Sequence, residues 1–283
     1  MILLDLSQVM ISNIMMQVGQ HTDAIQPDLV RHMVINTIRS LKVKFSDYGE
    51  LVIACDDKKY WRREYFAPYK ANRKADREKS NIDWAVLFDT LNQVKVELKE
   101  NFPYRVIQVE GAEADDVIGT LVMKFGSELN NGDQILILSG DKDFVQLQQW
   151  GNVTQYDPIR KKDIDCNDPE KFIHHLILSG DRGDGIPNVL SPDNCIVEGL
   201  RQKPLRETKI EELLRTEWEE LPNEIRRNWD RNRMLIDLTY IPENIKNSIL
   251  AEYEAQANKP RDKMFNYFIQ HKMKLLMESI GDF

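Results

Sequence analysis

Four short apolar runs, of which only the third contains a polar residue, constrain the fold of this chain more than any other feature. The runs lie at residues 2–4, 51–55, 106–109 and 135–138. Because they do not alternate with polar residues, they are typical of strands buried on both faces of a sheet. Stretches with helical spacing separate them, such as Leu87, Leu91, Val94 and Leu98. Strand–helix–strand repetition of this kind predicts an α/β fold, with a central, mostly parallel sheet flanked by helices.

The strand signals stop after about Gly185. Charged segments with helical periodicity follow at residues 209–218, 224–238 and 244–257, and prolines punctuate them. We therefore predict an α/β core over residues 1–187 and an all-helical C-terminal part over residues 188–283. With 42% hydrophobic residues, a chain of 283 residues is long enough to build a sizeable core.

Several functional classes are disfavoured by what the sequence lacks. No apolar run is long enough to span a bilayer, and the first residues lack the basic and apolar regions of a signal peptide. The cysteines, Cys55, Cys166 and Cys195, lie far apart, and neither they nor the histidines match a zinc spacing. These features predict a reduced, cytoplasmic protein that has no membrane partner.

Acidic residues follow every one of the predicted strands. They are Asp5, Asp56, Asp141 and Asp143 behind three of the strands, and Glu113, Asp115 and Asp116 where a helix opens behind the third. A single strand-end aspartate is common, since Asp favours turns and helix N-caps. Ligands of open parallel sheets, however, bind beyond the carboxyl ends of the strands. Carboxylates pooled there repel one another unless cations bind, and oxygen donors without His or Cys indicate Mg²⁺ or Mn²⁺.

Two acidic patterns leave alternatives open. Glu113 and Asp116 share a helix face, whereas Asp115 points elsewhere and could simply favour the positive end of the helix. Asp181 and Asp184 form a second spaced pair, within a glycine-rich stretch that is also typical of a turn.

A basic segment stands out against the net charge of −8. Residues 58–79 carry nine Lys and Arg against three Asp and Glu, interleaved with five aromatic residues. A basic segment that also carries aromatic residues is typical of nucleic-acid strand binding. The alternative is a solvated charged loop, which would have no use for the aromatic side chains.

These motifs strongly resemble those of the 5′ nuclease, or flap endonuclease, family, which includes the 5′ nuclease domain of bacterial DNA polymerase I. The matching segments, in the order of the family, are 3–7, 69–73, 112–119, 139–147 and 178–187. A narrower resemblance is to the ribonuclease H enzymes of T-even-type bacteriophages. It rests on residues 60–63, 240–245 and 279–283, and it extends over nearly the whole chain.

The resemblance implies a PIN-like 5′ nuclease core at 1–187 with a basic arch at 58–80, and a C-terminal region for DNA or partner binding. It implies a Mg²⁺-dependent 5′→3′ exonuclease or flap endonuclease with ribonuclease H activity, which removes primers during lagging-strand replication. Its substrates would be RNA–DNA hybrids and flapped or nicked DNA. It would be a monomer in the host cell cytoplasm that uses two Mg²⁺ ions, which Mn²⁺ could replace, and a single-stranded-DNA-binding protein is a candidate partner.

The resemblance also implies roles for individual residues. The first metal would be surrounded by Asp5, Asp56, Glu113, Asp115, Asp116 and Asp141, and the second by Asp143, Asp181 and Asp184. The substrate would be contacted by Arg62, Arg63, Tyr69, Lys70 and Arg73. Lys70 and Arg73, at the scissile phosphate, would share catalysis with Asp116 and Asp141.

The chain departs from the family pattern at two places. Residues 188–194 replace the glycines of a helix–hairpin–helix element that grips duplex DNA and often binds potassium, so we do not expect potassium here. The first predicted strand begins almost at once, whereas the phage relatives carry an N-terminal extension implicated in sliding-clamp contact. A clamp partner is therefore not expected.

Three other functions compete with this interpretation. A small PIN-type ribonuclease shares the strand-end acids, but the length of the chain and the basic arch disfavour it. A phosphatase of the haloacid dehalogenase type would have an aspartate where Ser7 stands. An inactive replisome-binding or DNA-binding module would have no reason to keep every acidic ligand, and a cleavage assay with titrated metal separates it from a nuclease.

Overall fold

A computed structural model of the chain describes residues 1–18, 26–79, 82–128 and 134–283. It contains a six-stranded sheet in the order β3-β2-β1-β4-β5-β6. The strands are β1 Ile2–Asp5, β2 Leu51–Ala54, β3 Arg105–Ile107, β4 Ile135–Leu138, β5 Val153–Asp157 and β6 Lys162–Ile164. Neighbouring strands are parallel except for the antiparallel pair β5 and β6. The predicted α/β class and mostly parallel sheet are thus confirmed, while β5 and β6 carried no signal that we recognised.

Helices connect the strands and cover both faces of the sheet. Those of the core are α1 Leu6–Val18, α2 Pro27–Lys44, α3 Trp61–Tyr65, α4 Asn72–Glu78, α5 Trp84–Asn101, α6 Ala114–Glu128 and α7 Pro169–Ser179. Those that follow are α8 Glu207–Arg215, α9 Asn223–Ile236, α10 Glu243–Ala255, α11 Met264–Gln270 and α12 Lys274–Glu278. Short 3₁₀ helices lie at Ser46–Tyr48, Lys142–Gln149, Trp218–Glu220, Leu238–Tyr240 and Ile280–Asp282. Among the described helices, none is long and apolar enough to cross a membrane.

The apolar runs are explained by two cores, one on each face of the sheet. Ile2 and Leu4 face the core that α2 and α5 cover, while Leu3 between them faces the core that α6 and α10 cover. Since successive side chains of a strand point to opposite faces, a strand covered on both sides needs an apolar residue at every position.

The C-terminal helices are integrated with the sheet. Gln256, just after α10, lies beside the edge strand β3. Its side chain donates to the carbonyl of Val106 at 2.8 Å and accepts from the Val106 amide at 3.0 Å, so it satisfies backbone groups that an edge strand leaves open. Phe283 packs with Phe102 and Phe268 in the core on the α2 side. In the described chain no strand follows β6, as predicted, whereas the domain boundary at residue 187 stays a prediction.

The segment that departs from the family pattern, residues 188–206, forms turns and extended chain before α8 begins. Its start is held by buried polar side chains. Asn188 accepts a hydrogen bond from the Ser191 hydroxyl at 2.9 Å, and Asn228 of α9 donates to the Val189 carbonyl at 2.8 Å. Asn232, one turn further along α9, donates to the carbonyls of Ile177 and Pro187. Helix α9 therefore fixes the chain that leaves the core.

Candidate active site

The first acids lie where the topology predicts, at the carboxyl edge of adjacent parallel strands. Asp5 ends β1, and its carboxylate accepts hydrogen bonds from the Gln8 amide at 3.0 Å and the Ser139 hydroxyl at 3.3 Å. Asp56 lies just beyond β2 and accepts from the amide of Ala114, the first residue of α6, at 2.9 Å. The amino end of α6 thus points at the acids, and its partial positive charge favours anions there.

A cavity of about 530 Å³ opens at this edge. Five acids line it: Asp5, Asp56, Asp57, Asp115 and Asp141. The carboxylate of Asp57 accepts hydrogen bonds from the Gly111 amide and the Gln108 side chain. We call the other four, Asp5, Asp56, Asp115 and Asp141, the open acids. Cationic side chains line the same cavity: Lys58, Lys70, Arg73, Arg77 and Lys95. A site of this composition can hold cations against its acids while it binds an anionic ligand.

The open acids carry negative charge that no ion pair offsets, since none of the ion pairs found in the described residues involves them. The charge of Lys70 acts on Asp115 and Asp141 only from a greater distance. Burial, reinforced by the charges of Asp56 and Asp141, raises the pKa of Asp5 to about 7. Loss of hydration, with help from neighbouring acids, also raises the pKa of Asp115 and that of Asp141. Each raised pKa reports that negative charge is unfavourable there, first because burial removes water from the carboxylate and then because other acids are near.

A second set of acids is already paired with basic side chains, most of which belong to the arch. Arg62 is 2% exposed, and its Nη1 lies 2.9 Å from Glu113 Oε2 and 2.8 Å from Asp116 Oδ1. The indole of Trp61 donates to Asp116 at 3.1 Å. Burial acts to raise the pKa of Glu113, but the charges of Lys70 and Arg62 outweigh burial, so that this pKa is lowered.

Lys70 occupies the space between two acids. Its Nζ lies 2.5 Å from Glu113 Oε1 and 3.6 Å from Asp184 Oδ2. The Tyr69 hydroxyl donates to Glu113 at 3.0 Å, and Arg73 donates to Asp184 at 2.6 Å. Asp181 has a cation as well, since the Lys142 ammonium donates to it at 2.6 Å. We call Glu113, Asp116, Asp181 and Asp184 the paired acids.

Glycine makes the close contact between arch and acids possible. Gly185 has a φ of +73°, and a Cβ there would lie 2.6 Å from the carbonyl oxygen of Pro68. Next to it, the amide of Lys70 donates to the carbonyl of Asp184 at 2.7 Å. A larger residue at 185 would push the base of the arch away from the loop that carries Asp184.

The predicted substrate residues occupy different environments. Lys70 and Arg73 line the cavity, whereas Arg62 and Tyr69 are buried behind it. Arg63 is exposed, and its guanidinium donates to the carbonyls of Tyr69 and Lys70, each at 3.3 Å. Roles for these residues in binding substrate stay predictions. The arch itself is described over residues 58–79, and residue 80 lies outside the described chain.

The remaining predicted ligand, Asp143, sits half-buried behind the open acids. Its amide donates to Asp141 at 3.0 Å, and its Oδ1 is buried with no hydrogen-bond partner. Burial first, and then the charge of Asp141, raises the pKa of Asp143 well above its usual range. An unpartnered buried carboxylate oxygen of this kind is suited to a cation or a bound water.

The donor set fits a hard divalent cation. The acidic side chains that line the cavity offer carboxylate oxygens as metal ligands. Their negative charge, which no ion pair offsets, favours a bound ion. In the described parts of the chain, no three acidic, histidine or cysteine side chains are yet close enough to hold an ion together. Binding would therefore require the carboxylates to rotate towards one another.

Some residues that line the site were given no individual role from the sequence. Lys95 and Phe88 of α5 line the cavity, and so does Arg77 of α4. Gln155 of β5, 2% exposed, donates to the carbonyls of Ser139 and Asp141 and so holds the backbone that carries Asp141. Helical spacing places Phe88 and Lys95 on one face of α5, but only the fold determines that this face meets the acids.

The comparisons with known proteins show the family to which the chain belongs. Residues 7–176 match the family described as 5′-3′ exonuclease, N-terminal resolvase-like domain, and residues 167–283 match the family described as T4 RNase H, C terminal. The chain is 34% identical over 294 aligned residues to the ribonuclease H of Enterobacteria phage T4, and the alignment covers 99% of this chain and 95% of that protein. It is also 34% identical to the flap endonuclease Xni of Shewanella sediminis, over 54% of this chain and 60% of that one.

Solved structures share the fold. The flap endonuclease of bacteriophage T5, solved as a pseudo-enzyme-product complex with DNA and metal ions, superimposes with a TM-score of 0.65 at 19% identity. That match covers 91% of this chain and 99% of the T5 chain. The T5 5′-exonuclease with bound zinc gives a TM-score of 0.62 at 19% identity, over 90% of this chain and 99% of that one.

Proposed function

Because the chain belongs to the 5′-3′ exonuclease family, as a nuclease of the ribonuclease H and flap endonuclease type, we propose that it cleaves nucleic-acid strands at their 5′ ends. The bonds it hydrolyses are the phosphodiesters of RNA–DNA and DNA–DNA duplexes. The observation that carries this proposal is that the open acids line the same cavity as Lys70, Arg73 and other cations. Such a cavity can bind metal ions and a phosphodiester side by side.

The acids divide into two ligand sets. Asp5, Asp56, Asp115 and Asp141 hold a first Mg²⁺ ion, with Glu113 and Asp116 nearby, and Asp143, Asp181 and Asp184 hold a second. Mn²⁺, which also prefers oxygen ligands, replaces Mg²⁺. Ions held by these carboxylates would supply an activated water and positive charge beside the phosphate being cleaved. The donor chemistry of the cavity and the uncompensated charge of the open acids support this assignment.

The arch residues provide the cations that bind the substrate. Lys70 and Arg73 lie at the cavity and contact Glu113 and Asp184, respectively. In the complex they exchange these carboxylates for the scissile phosphate, where their charges favour the transition state. Arg62 acts differently. Enclosed between Glu113 and Asp116, and with its Nε donating to the Leu235 carbonyl of α9 at 2.9 Å, it positions both acids.

The biological role follows from the substrates that we propose. Removal of RNA primers from the 5′ ends of lagging-strand fragments requires cleavage of RNA–DNA hybrid and of the flapped or nicked DNA behind it. The names of the phage T4 ribonuclease H and of the Shewanella flap endonuclease support both activities. The enzyme would work as a monomer, and residues 188–283 would bind DNA or a single-stranded-DNA-binding protein.

One gel tests the proposal. A 5′-labelled RNA–DNA hybrid, a nicked duplex and a flapped duplex are each incubated with Mg²⁺, with Mn²⁺ and with a chelator. We expect cleavage near the 5′ end in both metals and none with the chelator, with products that carry a 5′-phosphate and a 3′-hydroxyl. Strand binding without cleavage at any metal concentration would instead identify a DNA-binding module. Release of phosphate from a phosphomonoester alone would identify a phosphatase.

A further inference from the structure

The catalytic cavity has a second wall that none of the family motifs includes. It is formed by one face of α5, on which Phe88, Leu91, Asn92 and Lys95 follow one another at helical spacing and line the same cavity as the open acids. Tyr60 lines the cavity too, at the start of the arch. We call the four α5 residues the α5 wall.

The α5 wall carries a cation that is not bound to an acid. The Nζ of Lys95 donates to the backbone carbonyl of Asp56 at 3.3 Å, beside the open acids. Lys99, one turn further along the same helix, is instead paired with Glu252 at 2.6 Å and does not line the cavity. Lys95 is therefore held at the cavity with its charge free to meet an anionic group.

The α5 wall also carries a flat stacking surface. Trp84 and Phe88 stack with ring centroids 5.6 Å apart, and the Arg77 guanidinium lies 4.7 Å from the centre of the Phe88 ring. Phe88 and Arg77 both line the cavity, and Leu91 adds apolar surface beside them. Aromatic rings and guanidinium planes are the groups on which unpaired bases stack without regard to sequence.

From this juxtaposition we propose that the α5 wall is a nucleotide subsite, which binds one unpaired nucleotide of the 5′ strand next to the scissile bond. Its base lies against Phe88, Leu91 and Arg77, and its phosphate lies at Lys95. An apolar surface that ends in a cation matches the two parts of a nucleotide. The cavity, about 530 Å³, is also in the size range of small-ligand sites. The subsite rests on the proposed function, because it adjoins the acids that would cleave the same strand.

The base contact is tested with a cycle of protein and substrate changes. Binding of a flapped duplex is measured with Ca²⁺ in place of Mg²⁺, and a single abasic residue is moved along the unpaired strand. We expect Phe88→Ala to weaken binding of the intact strand about tenfold, and Phe88→Tyr to bind like the wild type. At one abasic position, the wild-type protein should bind about tenfold more weakly than it binds the intact strand. At that position Phe88→Ala should bind the abasic strand as well as it binds the intact one.

The control for Phe88→Ala is Phe265→Ala, which removes an exposed aromatic ring on α11 outside the cavity. It should bind every substrate as the wild type does. If Phe88→Ala weakens intact and all abasic strands by one common factor, the ring acts on the fold rather than on a base. If it does not weaken the intact strand, no base stacks there. Either result overturns the subsite.

The phosphate contact is tested in the same format. Lys95→Gln should weaken binding about fivefold, and Lys99→Gln on the same helix should not. A neutral methylphosphonate, moved along the strand, should at one linkage abolish the difference between Lys95→Gln and the wild type. A difference that persists at every linkage contradicts the contact. If the wild-type protein cleaves its substrates but both variants behave as their controls do, only the subsite fails. If the wild-type protein neither binds nor cleaves, the proposed function fails with it.

Discussion

The open acids and the paired acids are carboxylates of one site, and Asp115 of the first set adjoins Asp116 of the second, yet the two sets are held in opposite ways. Asp115 lines the cavity with no basic partner, whereas its neighbour Asp116 is completely enclosed beside Arg62 and Trp61. Most of the difference is made by the segment at 61–73, whose basic residues form ion pairs with Glu113, Asp116 and Asp184 but with none of the open acids.

This difference shows how a protein that carries a cluster of acids can fold before a metal binds. Concentrated negative charge destabilises a native state. Here internal cations remove part of it, and the remaining charge stays at the cavity where ions and substrate arrive. Replacing an open acid should therefore cost activity, while replacing a partner of a paired acid should cost stability.

The largest effect is expected for an open acid. Asp141→Asn should lower cleavage in Mg²⁺ by about 10³-fold, because a neutral amide is a poorer metal ligand and cannot offset the ion's charge. Binding of the flapped strand should survive. Cleavage is followed on the gel described above, and binding by fluorescence anisotropy. Turnover near that of the wild-type enzyme would remove Asp141 from the metal site.

The next effect falls on stability. Arg62→Met removes the cation between Glu113 and Asp116 and leaves buried carboxylates, so the free energy of unfolding should fall by about 3 kcal/mol or more. Urea unfolding of the metal-free protein measures this change. Arg63→Met is the matched control, since Arg63 is exposed, and it should change stability by about 0.5 kcal/mol or less. Equal losses in the two variants would mean that Arg62 is not the cation on which the paired acids depend.

Lys70 contacts two paired acids and also lines the cavity of the open acids, so its replacement affects both sets. Lys70→Met should lower turnover, because the cation for the phosphate is lost. It should also tighten Mn²⁺ binding by about tenfold, because a positive charge leaves the neighbourhood of the ion. Calorimetric titration with Mn²⁺ measures the second effect without any reaction. Lys74→Met, an exposed lysine of the same arch, should leave Mn²⁺ affinity unchanged. Weaker Mn²⁺ binding by Lys70→Met would show that the lysine supports the metal site rather than competing with it.

The smallest effect has the opposite sign. Asp5→Asn removes one of the crowded charges, so at pH 8 and without metal it should raise the free energy of unfolding by about 1 kcal/mol. Each unit of raised pKa corresponds to about 1.4 kcal/mol of disfavoured charge, and the buried amide still loses hydration. The control is the same comparison with saturating Mg²⁺, where the wild-type protein should become the more stable one. A metal-free Asp5→Asn protein that is less stable than the wild type would mean that burial and the neighbouring acids do not disfavour the charge of Asp5.

Much of the architecture followed from local patterns. The apolar runs predicted strands buried on both faces, and parallel strands place their carboxyl ends at one edge, so the acids behind them converge. The same search for apolar runs did not detect β5 and β6. In β5 the polar residues Thr154, Gln155 and Asp157 interrupt the apolar pattern, and β6 has only three residues, with two of them exposed. Gln155 is buried all the same, because the carbonyls of Ser139 and Asp141 accept its hydrogen bonds.

The sequence by itself determined which acids gather, since chain order and strand direction place them at the edge. Only the tertiary structure decided how each is neutralised. Arg62 was expected to line the substrate passage, but it is buried against Glu113, 51 residues away. Likewise, Lys70 lies beside Asp184. The packing of α5 places Lys95 at the cavity. A charged side chain has no intrinsic preference that selects its partner, because the energy of an ion pair depends on distance and on exclusion of water, and both are set by packing.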